Sequence, residues 1–356
     1  MAANAKAGMT DTPPRHNRSG LFAPIGLFLI VLIAWSVWWF VLAGQVRERL
    51  DQRIEGLRAT GWDIAYSGMT TSGWPFRVRI EAENVRVTAP SAHAVAAPDL
   101  AAEANAWNPD KWVLVAGDGL VLTRAGKGDV AIGGRVIRAS VSGLTQRWPN
   151  VAIELVDATF TSHRDAEVFP ISRAARVEAY LRPHLAPAGT DGAESSVDML
   201  FRLIDAEGRP GGPVEGMARN GKLTLQIETV VEDADRLQGA DAAGVFSAWT
   251  GAGGRFTAVR GEISAGESRA TLASDVLSAT PDGRLEGTVA LQAQRPMAAI
   301  AGLAGSRSGA VNQAGAAGAA AAGAVQGSED VDIAIVFRDG RTWLGPFPLA
   351  PAPKLF

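Results

Sequence analysis

The sequence predicts a mostly β protein (β-rich α+β): one N-terminal transmembrane helix, then a large curved antiparallel sheet or groove with a few short helices. Three observations predict it. The run Leu21 to Gly44 is apolar and carries no charge. From residue 61 onward, apolar residues recur mostly with period two, the mark of strands with one dry and one wet face. The gaps between these runs hold Gly, Pro, Asn and Asp, and none demands a long crossover, so a meander is the simplest topology.

Residues 1–20 are expected to be a disordered cytoplasmic tail, with Lys6, Arg15 and Arg18 against Asp11. At about 1.5 Å per residue, residues 21–44 reach roughly 36 Å as a helix, enough to cross a hydrocarbon core of about 30 Å. Arg47, Arg49, Arg53 and Arg58 follow, so a count of basic residues alone does not orient the helix. A short basic tail before a first apolar segment usually stays inside, and long domains cross regardless of charge, which favours an external body. Trp35, Trp38 and Trp39 stand at the outer end of the run, where amphipathic rings sit at the membrane interface. The competing assignment is a signal peptide cleaved after Val41-Leu42-Ala43. Secretory apolar cores span about 7–15 residues, shorter than this one, so a retained anchor is expected.

Residues 45–60 place Val46, Leu50, Ile54 and Leu57 at helical spacing, predicting an amphipathic stalk that Gly61 ends. The β-rich domain is residues 61–356. In its first clear strand Phe76, Val78 and Ile80 alternate with Arg77, Arg79 and Glu81, so these three are candidate groove-lining residues; Asn84 breaks the phase and suggests a bulge. Further strands are expected at 112–122, 130–141, 151–161, 173–181, 197–204 and 222–229, then at 255–264, 268–279 and 285–293. A helix is expected around 237–249 and a short one from Pro296. The Ala- and Gly-rich stretch 301–328 is expected to be a flexible insert. Residues 331–337 and 341–344 form a last hairpin, and the ending is too rich in Pro to pair as a central strand.

Composition narrows the chemistry. A net charge of −3 argues against nucleic acid as a partner. With no Cys there are no disulfides, thiolate nucleophiles or cysteine metal sites. His16, His93, His163 and His184 lack the spacing of a zinc helix. Glu232 to Asp235 offers carboxylates but not the length or closing Glu of a calcium loop, and reads as a solvated turn. Gly251, Gly253 and Gly254 do not follow the layout of a nucleotide fingerprint, and there is no G-x-S-x-G elbow. No catalytic residue, metal site or cofactor is expected.

Three places taken together carry a resemblance: the anchor running into its stalk, the strand opening Ser72-Gly-Trp-Pro-Phe-Arg-Val, and the ending Phe337-Arg-Asp-Gly-Arg-Thr-Trp-Leu-Gly-Pro-Phe-Pro-Leu. Gly261-Glu-Ile-Ser and Pro281-Asp-Gly-Arg-Leu-Glu-Gly-Thr fit the same pattern. Over residues 21–356 the chain resembles a bacterial domain-of-unknown-function family numbered 2125. More distantly it resembles AsmA-type envelope proteins, which join one N-terminal anchor to a long antiparallel sheet folded into a groove. The near resemblance implies no activity. The distant one implies periplasmic exposure at the inner membrane and the handling of lipid, an analogy of shape. The expectation is a non-enzymatic protein, N-terminus cytoplasmic and domain periplasmic, with the bilayer, an apolar ligand such as lipid, or envelope proteins as partners. The alternatives are a structural or protein-binding ectodomain with a closed core and, third, an unrecognised hydrolase.

Overall fold

The computed structural model describes residues 19–185, 195–219, 221–241, 243–307, 310–326 and 330–356; the expected N-terminal tail lies almost wholly outside them. Helix α1 (Ser19–Ala59) unites anchor and stalk in one element of 41 residues. It is the one helix among the described residues long and apolar enough to cross a membrane. Gly61, at φ +91°, accepts the turn that ends it.

All the strands belong to one 18-stranded sheet. They are β1 (Asp63–Ala65), β2 (Gly68–Ser72), β3 (Arg77–Thr88), β4 (Ala94–Asn105), β5 (Asn108–Val115), β6 (Leu120–Arg124), β7 (Gly128–Gly133), β8 (Val136–Ser142) and β9 (Asn150–Ser162) in the first half. The second half holds β10 (Ile171–Pro183), β11 (Val197–Gly208), β12 (Leu223–Val231), β13 (Arg255–Ala265), β14 (Ser268–Ala279), β15 (Leu285–Gln294), β16 (Asp330–Arg338), β17 (Arg341–Leu344) and β18 (Phe347–Pro351). Every pairing is antiparallel. The short strands β1 and β2 act as one interrupted edge strand along β3. Likewise β5 and β6 both pair with β4, and β8 and β7 both pair with β9. With those breaks joined, each strand pairs with the next in sequence and the sheet is a single meander.

The expected strands at 112–122 and 130–141 are therefore each split in two. β4 was not expected: its AVAAPDLAAEAN is rich in Ala, a poor strand former, and contains Pro98. At Asn84 the phase break is real, but no residue is inserted. Glu83 pairs with Asp99 and Val85 with Ala97, and Asn84 takes φ +50° between them. The helix expected at 237–249 is a 3-10 turn over Gly244–Phe246 followed by the short α3 (Ser247–Gly251), as its glycines would favour.

The stalk does not hold the sheet away from the apolar half of α1. The edge strand runs back along α1: Arg58 donates to the Ile64 carbonyl (2.6 Å), Arg47 to that of Met69 (3.3 Å) and the Trp35 indole to that of Pro75 (2.8 Å). From Arg58 back to Trp35 the helix covers about 35 Å at 1.5 Å per residue. From Ile64 to Pro75 an extended chain covers about 36 Å at 3.3 Å per residue. The two lengths match, so the strand returns to the level at which the helix meets it.

The other correction concerns 301–328. Instead of a flexible insert, its described residues form the end of α4 (Pro296–Ala304) and all of α5 (Gln313–Gln326). Ala316 and Ala319 are buried with Ile300 and Leu349. The glycines here serve close packing. A Cβ on Gly315 would stand 1.9 Å from the Pro348 carbonyl oxygen, and one on Gly302 would stand 1.8 Å from that of Gly216, in α2 (Pro213–Ala218). Ala316→Asp would bury a lone carboxylate and should cost roughly 3 kcal/mol, lowering the thermal midpoint by several degrees. Ala317→Asp, on the exposed side of α5, should leave it unchanged; equal midpoints would mean that α5 does not pack.

Candidate functional site

The registers bring one apolar row into line across twelve strands, from β3 to β16. It starts at Ile80, Ala102, Leu114, Ala139, Ile153 and Ala179. It continues through Phe201, Ile227, Gly261, Leu272, Leu291 and Ile333. At about 4.8 Å between strands its eleven steps span roughly 50 Å. Only Ile80 is buried; the rest are half-exposed, and Ile153 is 43% exposed.

On either side of this row, towards the two ends of the strands, the same face is covered. On one side Leu203, Ala206, Leu223 and Ala265 lie beneath Val214 and Met217 of α2. On the other Val197, Val231, Phe256 and Leu277 lie beneath Ala234 and Trp249, whose indole N–H donates to the Glu232 carbonyl (2.6 Å). The second cover is tied to the β8–β9 turn by the Arg147–Asp235 pair (2.6 Å). It also touches the β3–β4 turn, since Gly244 packs against Ser91 and His93. β4 and β12 are six positions apart in the meander, roughly 29 Å if the sheet were flat, so the sheet curls. The outcome is a trough with buried walls and a half-open apolar floor.

The candidate groove-lining residues sit at the head of this trough, in three different settings. Val78 is fully buried under α1, packed with Trp39, Ala43 and Ala106. Ile80 is buried beside it, and Phe76 is exposed at the strand entrance, edge-on to Trp107 at 6.5 Å. The trio therefore does not line the open floor, because the helix covers its middle. The floor lies further on, in residues such as Phe201, Ile227 and Leu272, which could have been found in the sequence only by aligning strands whose registers it does not state. Of the three tryptophans expected at a membrane interface, Trp39 is buried and donates to the Arg77 carbonyl (2.7 Å), Trp35 donates to that of Pro75, and Trp38 faces outward.

The opposite face is polar. A ladder of ion pairs crosses β8 to β11: Arg138 to Glu154, Arg176 to Glu154 (3.8 Å) and Glu178 (3.4 Å), and Arg202 to Glu178 (3.1 Å). Glu178 is buried, and two guanidiniums keep its charge tolerable there. Beside it opens a hollow of about 820 Å³ with Lys111, Tyr180, Arg202, Glu228 and Arg260 on its lining. Among the described residues no group of three metal-ligating side chains assembles. Ser91 and His93 are hydrogen-bonded at 3.1 Å with no carboxylate bonded to the ring, and His184 pairs with Asp198 at 2.5 Å. Neither pair joins a nucleophile, a base and an orienting acid.

The model of a family described as an uncharacterized protein conserved in bacteria, DUF2125, matches residues 39–353. The chain belongs to this family. The match opens at Trp39, the residue that docks α1 on β3, and runs almost to the end of the chain. No curated protein and no solved structure matches. Membership of DUF2125 brings no activity with it.

Tyr180 reports on the polar face. Burial raises its pKa above the usual phenol value, and Glu178 and Glu154 push it further, against the pull of Arg202. Because the native value lies above the unfolded one, the stability this contributes is fully present below about pH 10 and is lost as pH rises through the native pKa. With two tyrosines in the chain, Tyr66→Phe isolates this one for ultraviolet titration. Its midpoint should lie above that of free tyrosine and fall when Glu178→Gln is added; an unmoved midpoint would separate Tyr180 from the ladder.

Proposed function

We propose that this protein is a non-enzymatic, single-pass protein of the bacterial inner membrane whose periplasmic sheet carries lipid, or a similarly apolar ligand, along its trough. The observation behind this is the apolar row over twelve strands whose floor stays half-exposed between two covers. Soluble domains rarely leave contiguous apolar patches beyond a few hundred Å² without a partner, and a floor of Leu, Ile and Phe suits acyl chains. Retention of the anchor is supported by Trp39 and Ala43, which belong to the buried core with Val78; cleavage after Ala43 would strip both away. The basic tail and the size of the following domain support a cytoplasmic N-terminus.

The test pairs a floor residue with a wall residue. Ile227→Asp places a carboxylate where water and headgroups can reach it, so the full-length protein should fold by circular dichroism, displace a fluorescent fatty acid less well, and co-purify with less lipid by native mass spectrometry. Val197→Asp buries a charge in a fully buried wall position and should not fold. A folded Ile227→Asp protein with unaltered binding, or a wild type that never carries lipid, would shift the assignment to a structural envelope ectodomain.

A further inference from the structure

At the strand end beside the upper part of α1, the β2–β3 and β4–β5 turns are apolar. Twenty residues of helix, about 30 Å, match the hydrocarbon core; counted from the start of α1 at Ser19 they end at Trp38. Pro75 is bonded to Trp35, three residues, about 4.5 Å, on the core side of that boundary. The β2–β3 turn is therefore held at or just below the level where the hydrocarbon begins. Its side chains are Trp74, 47% exposed, and Phe76, 62% exposed, with Trp107 of the neighbouring β4–β5 turn at 60%. The next turn at this end, between β8 and β9, is tied to β5 by Asp110 and presents Leu144, also exposed.

The turns at the other end of the same strands differ. Lys127 lies between β6 and β7, and His163, Arg164, Asp165 and Glu167 between β9 and β10, with Val168 the apolar exception. The charges nearest the aromatic tips are Arg77 and Glu103, which pair with each other at 2.7 Å, together with Asp110 of β5, which accepts from the Gly143 and Leu144 N–H groups, and the exposed Lys111 beside it; such charges suit headgroup level.

We infer that the β2–β3 and β4–β5 turns, through Trp74, Phe76 and Trp107, form a wedge seated in the outer leaflet of the bilayer that α1 crosses. This rests on α1 spanning the membrane. Trp and Phe are suited to that depth, where ring faces meet acyl chains and polar edges meet headgroups. The apolar row begins at Ile80, about 13 Å further along β3 than Phe76, with the buried Val78 and α1 between the wedge and the row.

The chain has no Cys, so single-cysteine variants of the full-length protein report one site each. Phe76→Cys, Trp107→Cys, Ile30→Cys in the span and Glu262→Cys on the polar face are labelled with an environment-sensitive fluorophore. The proteins are reconstituted in phosphatidylethanolamine–phosphatidylglycerol vesicles with and without nitroxide on the lipid acyl chains. Quenching at Phe76 and Trp107 should match that at Ile30 and exceed that at Glu262 several-fold. Quenching at Ile30 with none at the two turns would overturn the wedge and leave the anchor standing. Quenching at the turns without Ile30 would support the wedge and remove the spanning helix, and loss at all three would remove both.

Discussion

The indole of Trp39 lies over Val78 and donates to the carbonyl of Arg77, the residue before it. This contact fixes a helix that can cross a membrane to the first full strand of the sheet, and everything after β3 is laid down from that strand by successive pairing. Trp35 and Ala43, one turn to either side, extend the contact along the helix. The carbonyls that an edge strand would leave open are taken by Arg47 and Arg58, so the helix also blunts an edge that could otherwise pair with another chain.

The two faces of the sheet are stabilised by different means. On the polar face, Glu154 and Glu178 face each other across β9 and β10, and Arg138, Arg176 and Arg202 surround them, a network of charges that singly would add little. On the apolar face, burial is strong near both strand ends and weak between them. At roughly 25 cal/mol per Å² of buried apolar surface, a floor of half-exposed Phe, Ile and Leu leaves stabilisation unrealised that a closed sandwich would collect. The covers do not fill that gap because α2 and α3 are too short, at 6 and 5 residues, to reach across it.

Much of this was legible in the sequence, and the misses have physical causes. The alternation Phe76, Val78, Ile80 announced β3 and its dry face, yet not that a tryptophan nearly forty residues earlier would cover it, because period reports a face and says nothing of its neighbour. β4 was hidden by alanine, which fits a strand when larger partners such as Ile80 and Leu114 flank it but advertises a helix or nothing alone. The Ala/Gly stretch looked like a linker because glycine loosens a free chain; in α5 the same missing Cβ lets the helix touch β18. The apolar row was the least visible feature, since it exists only when eleven registers are known at once.

The meander has a temporal side as well. With the interrupted strands joined, each strand pairs with the one made just before it, so no segment waits for a partner far along the chain; the long connections, β12 to β13 and β15 to β16, hold the short helices. A chain leaving the ribosome with α1 first can add strands one at a time to an edge that already exists. The growing edge is the vulnerable one at every stage, and it is closed last by β18, whose Pro348 and Pro351 cannot offer the N–H groups that a further strand would require. Strand addition thus proceeds outward from α1, and β18 is poorly suited to accept a further strand.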